Sequence, residues 1–307
     1  MIQATKAREK RKSLSRDDLI TDAVVYGLCL MVLLLVAYPM LYIISCSFSD
    51  PDAVIRGEVT LFPKGLTLDG YRQIVDYKPI WTGYRNTIFY TVTATALNLL
   101  VTAPCAYALS RRDLWGRRHF MALFTFTMFF SGGMIPHYLL MKELRLLNTV
   151  WAMIIPGAIS TYNMIITRTY FENSIPPEVQ EAAIIDGCGN GRLFFSVVLP
   201  LSKPIIAVLI LFYGVSHWNA YFNAMIYLSD AELYPLQLIL RNILLLGEMN
   251  DMMGLDAESQ RMLIYLMRLK EVMKYGIIVL ASLPMMILYP FLQKYFVQGV
   301  MVGAIKG

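Results

Sequence analysis

Six long apolar stretches constrain this chain more than any other feature, at residues 20–48, 84–109, 119–141, 150–167, 204–228 and 272–291. A helix needs about 20 residues to cross a bilayer, so each stretch is close to one span. In hydrocarbon, only helices and closed barrels satisfy every backbone donor and acceptor. The stretches are continuously apolar rather than alternating, which argues against a strand barrel. The expected fold class is an all-α integral membrane protein with six transmembrane helices. Only 16% of residues are charged and 57% are hydrophobic, whereas a soluble domain carries about a quarter charged residues.

Lys and Arg set the orientation, because they collect in cytoplasmic segments. Lys6, Arg8, Lys10, Arg11, Lys12 and Arg16 precede the first stretch, and Arg111, Arg112, Arg117 and Arg118 follow the second. Arg168, Arg192 and Lys203, then Lys294 and Lys306, fall on the same side if the chain alternates. Both termini are therefore expected in the cytoplasm. The N-terminal basic run resembles a signal-peptide n-region, but the apolar run is too long and no clear small-residue cleavage site comes after it. It reads as an uncleaved first helix. The pI of about 8.9 is then a mark of topology, and nothing supports a nucleic-acid partner. The expected organisation is a basic segment at 1–19, a permease domain at 20–293 and a cytoplasmic tail at 294–307. The domain contains a cytoplasmic loop at 174–200 and an outer loop at 229–271.

The span cores contain no Asp or Glu, and Asp22, Arg85, Glu271 and Lys274 sit at span edges. Ion-coupled carriers usually bind their coupling ion on such groups partway across the membrane. The driving force is therefore expected to enter elsewhere. Cys29, Cys46, Cys105 and Cys188 lack metal-ligand spacing and read as small hydrophobes. Pro39, Pro104, Pro136, Pro156, Pro204, Pro284 and Pro290 recur in or near the spans. They suit a bundle that rocks between two shapes, and equally the general abundance of proline in membrane helices.

The polar island from Arg168 to Lys203 shows where force could enter. Pro176 and Pro177 before Glu178 mark a helix start, with Ser174 as its expected cap. Glu178 and Glu181 suit the positive helix N-terminus. Glu178, Ala182 and Ile185 share one face, and Val179, Ala183 and Ile184 fill a neighbouring apolar side. Asp186-Gly187 stops the helix, because glycine accepts left-handed angles. A second short helix over about 191–198 leads to Leu199-Pro200.

Glu181-Ala182-Ala183, Gly187 and Leu199-Pro200 resemble the "EAA" loop of binding-protein-dependent ABC importer permeases. Further stretches resemble the carbohydrate-uptake, maltose-permease-like branch, notably its complex-oligosaccharide members. They are Phe130-Ser131-Gly132-Gly133-Met134-Ile135-Pro136, Trp218-Asn219-Ala220-Tyr221-Phe222, Tyr234-Pro235-Leu236-Gln237 and the tail from Gln293 to Gly307. Cys188 and Asn190 depart mildly from the family's usual Ala- and Ser-rich filling. The resemblance implies a MetI-like type I importer fold. It also implies that Glu178, Glu181, Ala182, Ala183, Asp186, Gly187, Leu199 and Pro200 couple to an ATPase. The partners implied are an ABC ATPase dimer, a second homologous permease, an extracellular solute-binding lipoprotein, membrane lipid and a carbohydrate substrate. ATP and Mg would sit on the ATPase, leaving this chain without cofactor or catalytic residue.

Decoys are weak. Gly187-x-Gly189-x-Gly191 lacks the dinucleotide spacing and a preceding strand. His119, His137 and His217 are isolated, so no metal or acid–base site is expected. A solute path is expected along Ser216, Trp218, Asn219, Tyr221 and Asn223, joined by Asn98 and Asn163, with His217 and Tyr162 nearby. The other reading of these polar groups is interhelical hydrogen bonding and an outer aromatic belt. Residues 236–246, too short to span, read as an external cap or a re-entrant segment, and the tail is expected to pack near the ATPase. The chain thus reads as an ATP-powered carbohydrate importer permease. The alternatives are an ion-coupled secondary carrier or channel, or a membrane assembly protein.

Overall fold

The computed structural model describes residues 16–245, 271, 273–291 and 293. Most of the basic N-terminal segment, the greater part of the outer loop and the tail lie outside the described residues. Contacts divide the chain into two units, Met1–Leu68 and Asp69–Gly307.

In the first unit, α1 (Arg16–Ser47) is apolar on every side. Its Leu19–Ser47 portion has 29 residues and extends roughly 44 Å, which exceeds the ~30 Å of hydrocarbon. Nearly every side chain described from Leu19 to Leu41 is exposed. A helix apolar all round is one that belongs among lipid or other protein. After it the chain folds into a polar knot. Ser45 Oγ donates to the Leu61 carbonyl at 2.6 Å, and Ser49 Oγ accepts the Lys64 N–H at 3.1 Å. Asp50 accepts the Asp52 N–H to start α2 (Pro51–Ile55).

In the second unit, α3 (Asp69–Asp76) leads into α4 (Lys78–Ser110), a 33-residue mast. Its buried positions include Ile80, Gly83, Thr87, Tyr90, Ala94, Asn98, Thr102 and Ala106, the three-and-four spacing of one helical face. Small residues on that face let neighbours approach closely. Three apolar clusters sit along the mast. Ala103, Tyr107 and Leu109 pack with Met164, Phe171, Leu193 and Val198 at its C-terminal end. Tyr90 and Ala94 pack with Met141, Ala152 and Tyr227 further up. Ile80 packs with Trp218, Leu236, Met273 and Ile277 at its N-terminal end.

The apolar stretches do not all become single helices. Leu19–Ser47, Lys78–Ser110 and α15 (Met273–Phe291) are each long and apolar enough to cross a membrane. Residues 119–141 instead form α5 (Arg117–Phe129) and α6 (Met134–Glu143), bent by 112°. Gly133 at the bend has φ +83°, which glycine alone adopts cheaply. Residues 150–167 form α7 (Trp151–Ile154) and the start of α8 (Thr161–Ser174), parted at Pro156-Gly157, where Gly157 has φ +76°. Ser160 caps α8 by accepting the Asn163 N–H. Beyond it come α9 (Pro177–Ile185), α10 (Asn190–Leu193), a π-turn at Phe194–Val198, and α11 (Leu199–Leu201). Residues 204–228 form α12 (Lys203–Trp218) and α13 (Phe222–Tyr227), and α10–α11 and α12 meet at 81°.

The segment expected to be a cap or re-entrant is α14 (Leu236–Leu245). It is amphipathic, with Leu236, Leu238, Ile239 and Ile243 buried, and it packs against the N-terminal end of α4. The side chains of α4 reach out to the approach into α14. Asn86 Nδ2 donates to the Glu232 and Tyr234 carbonyls, Tyr90 donates to Leu233, and Thr87 Oγ1 accepts the Leu236 N–H at 2.8 Å. Gly83 permits this approach, since a Cβ there would lie 3.0 Å from the Leu236 Cα and 2.6 Å from Ile239 Cδ1.

Candidate functional site

Two regions carry the residues singled out by sequence, a protruding knob around α9 and a largely apolar hollow between α8 and α12 with several polar side chains in its wall. The knob begins at Pro176, not Ser174. Ser174 is the last residue of α8, and α9 has no side-chain cap. Each proline forces its predecessor into an extended conformation, so Ile175 and Pro176 are extended and the helix begins at Pro177. Glu178 lies in its first turn. The helix ends where expected. Gly187, at φ +76°, donates to the Ile184 carbonyl at 2.9 Å, and Cys188 donates to Ala183 at 2.9 Å. These paired bonds form a Schellman motif and satisfy the last carbonyls.

The faces of α9 divide clearly. Ala183 and Cys188 lie against the cluster at the base of α4, while Glu178, Glu181, Ala182, Asp186 and Gly187 are exposed. Ile184 and Ile185 are 48% and 85% exposed. They stand as a pair of apolar side chains on an otherwise polar loop.

The stretch from Asn190 to Ser202 anchors the knob. Leu193 and Val198 are fully buried in the basal cluster. Leu199 packs on that cluster and Pro200 is exposed. Pro200 has no N–H for the next helical bond, and the backbone widens before it, with the Leu199 N–H reaching back to Phe194. Ser202, buried, donates its hydroxyl to the Val198 carbonyl at 2.7 Å.

Charged side chains tie the knob to the mast. Arg111 grips Asp113 in a two-pronged pair at 2.9 Å and reaches Gln180 of α9 at 3.4 Å. The hydrogen bond between Arg111 and Asp113 holds the carboxyl below its usual range and raises the guanidinium. Arg168 donates to the Leu109 carbonyl at 3.1 Å and to Glu172 at 2.8 Å, and Arg117 also pairs with Glu172. Glu172 thus joins α5 to α8 beside the end of α4. Sequence reasoning registered these arginines only as topological charge. The partner carboxylates, at 113 and 172, carry no local motif.

The hollow has a volume of about 780 Å³, and its wall includes Tyr162, Asn163, Ser216, His217, Asn223 and Tyr289. A second, of about 590 Å³, lies at the α5–α6 bend and shares Pro156, Gly157 and Asn223 with the first. Of the expected path residues, Asn163, Ser216 and Asn223 reach the first hollow, whereas Asn98, Trp218, Asn219 and Tyr221 do not line it. Asn98 is fully buried, donates to the Gly157 and Ala158 carbonyls at 2.8 and 2.9 Å, and pairs with His217 Nε2 at 2.7 Å. Trp218 is buried and donates to the Ala281 carbonyl at 2.9 Å. Asn219 folds back onto the Val215 carbonyl at the end of α12. Tyr221 stands edge-on to Phe222 and is 43% exposed. The helix breaks at Gly132-Gly133 and Pro156-Gly157 lie on these hollows, where free backbone groups need not face hydrocarbon.

A protruding knob at the base of α4, a bundle of broken helices and a hollow lined by several polar side chains accompany a clear family relationship to membrane transport components. The chain belongs to the family of binding-protein-dependent transport system inner membrane components, whose family model matches residues 79–302. It is a multi-pass permease subunit of the ABC importer class. It is 40% identical over 288 residues to the polygalacturonan/rhamnogalacturonan transport system permease protein YtcP of Bacillus subtilis, covering 93% of this chain and 98% of that one. It is 30% identical over 275 residues to the arabinooligosaccharides transport system permease protein AraQ of Halalkalibacterium halodurans, covering 88% and 91%. A crystal structure of a bacterial ABC transporter involved in import of the acidic polysaccharide alginate contains a chain that matches with a TM-score of 0.82. The identity is 38%, over 92% of this chain and 98% of that one.

Proposed function

We propose that this permease forms half of a translocation path for an oligosaccharide, driven by an ATPase pair that docks on α9. The observation that carries the reading is the exposed Ile184–Ile185 crest of α9, closed at Gly187 and tied to α4 through Arg111 and Gln180. A short helix held this way transmits displacement as a rigid element between two arrangements. ATP and Mg belong to the ATPase chains, and Glu178, Glu181, Ala182, Ala183, Asp186, Gly187, Leu199 and Pro200 form or shape the docking knob.

The knob end of α4 faces the cytoplasm, since it carries Arg111, Arg112, Arg117 and Arg118. The N- and C-termini lie on the same side. An extracellular binding protein delivers solute at the opposite end, and a second, homologous permease completes the path. The carbohydrate class is supported by the relatives' named substrates. It is also supported by the neutral donors and acceptors around the hollow, Tyr162, Asn163, Ser216 and Asn223, which suit hydroxyl groups rather than a buried ion.

The test is Gly187→Val in the reconstituted importer. Valine at φ +76° is strained even though the space around Gly187 is open, so the knob closes badly while the bundle stays intact. Solute uptake and solute-stimulated ATP hydrolysis are expected to be lost, with membrane levels unchanged. Robust uptake by that variant would falsify the docking role.

A further inference from the structure

Beside the loop from Arg111 to Gly116 lies a cavity of about 700 Å³ whose wall includes Arg112, Trp115, Arg117, Arg118, His119 and Arg168. The nearby carboxylates are already engaged. Asp113 is gripped by Arg111, and Glu172 takes both Arg117 and Arg168. Among the described residues, Arg112 and Arg118 have no carboxylate partner, and both are exposed. The cavity therefore presents two uncommitted guanidinium groups. Guanidinium groups match the oxygens of phosphate in a fork geometry that an ammonium cannot reproduce.

The surroundings indicate where such a phosphate comes from. Trp115 is 92% exposed at the rim, and an exposed indole is at home where hydrocarbon meets water. α5 runs on from this rim, with Phe120 and Leu123 exposed at 48% and 61%. They are three residues apart and so share one side of the helix. A charged hollow thus opens directly onto an apolar helix face. A free anion would use only the first of these, whereas a phospholipid carries a phosphate and acyl chains on one molecule and matches both.

We propose that this pocket holds the phosphate headgroup of an anionic phospholipid, with its acyl chains lying along the Phe120–Leu123 side of α5. Arg112 and Arg118 bind the phosphate, and Trp115 packs at the glycerol level. Glu172 keeps Arg117 and Arg168 turned into the wall. The site is independent of the solute the permease carries.

The test is native mass spectrometry of the full-length permease within its purified complex, titrated with phosphatidylglycerol, phosphatidylcholine or inorganic phosphate. Wild type is expected to retain phosphatidylglycerol in preference to phosphatidylcholine. The Arg112→Gln/Arg118→Gln double variant is expected to lose roughly 25-fold in that retention, at about fivefold per charge. Trp115→Ala is expected to weaken it as well, with thermal unfolding of both variants unchanged. Equal phosphatidylglycerol retention by wild type and double variant would overturn the proposal. So would displacement of the lipid by inorganic phosphate, which would indicate a free-anion site. Loss of the ATPase from the double variant with lipid retention intact would assign the pocket to a protein surface instead.

Discussion

Two regions along α4 are held by different chemistry. At its C-terminal end, around the knob, the ties are ionic and partly wet, with Arg111 on Asp113 and Arg117 and Arg168 on Glu172. Around the hollow they are neutral and buried, with Asn98 on the Gly157 and Ala158 carbonyls and on His217, and Trp218 on Ala281. Water at the base solvates a broken ion pair, so a tie there can open cheaply. A neutral group left unpaired in the bundle has no such alternative. The base can thus be adjustable where force is expected to arrive, while the helix breaks above it stay fixed.

Asn98→Ala tests the rigid half and should have the largest effect. It strands two carbonyls and one imidazole nitrogen, a cost of about 2–3 kcal/mol, visible as a lower unfolding temperature of the purified protein at any ionic strength. Glu172→Gln comes next. It removes the negative charge shared by two arginines, worth about 1 kcal/mol at low salt, and the difference from wild type should fade as salt is added. If Asn98→Ala were as mild and as salt-dependent as Glu172→Gln, the contrast between the two regions would collapse. The smallest effect is at Asp113. Its folded pKa lies below the unfolded value, so its contribution is present above the ordinary carboxylate range and is lost as pH falls through the folded value. Acid titration of the wild type should therefore loosen the base slightly, as read by amide exchange in α9. Asp113→Asn should show no such step.

The knob was legible in sequence because its boundaries are set by residues with unusual backbones. Two prolines open α9 and a glycine closes it, and neither effect depends on distant contacts. The Ser174 cap failed for the same local reason, since the extended residue ahead of each proline leaves the serine behind in α8. The broken spans were less legible. A hydropathy run passes over Gly132-Gly133 and Pro156-Gly157 without registering a change of direction, because the bend depends on backbone angles rather than polarity. The polar residues of α12 announced themselves, but not their partners. Asn98 and Trp218 are equally polar whether they face solute or a neighbouring carbonyl, and only the packed bundle distinguishes the two. The position of Asn98 four residues beyond Ala94 and four before Thr102, on the small-residue stripe of α4, was the available hint that it meets another helix.

Gly83 has a consequence for the far rim of the molecule. Its bare hydrogen lets the mast and α14 approach closer than a methyl group would allow. Add that methyl group, and the end of the Ile239 side chain must turn aside while the Leu236 backbone gives by a few tenths of an ångström, straining the Glu232–Leu236 strap against the side chains of Asn86, Thr87 and Tyr90 that moor it. Even at the rim, then, the smallest added side chain presses on backbone, and alanine at position 83 would act as a wedge.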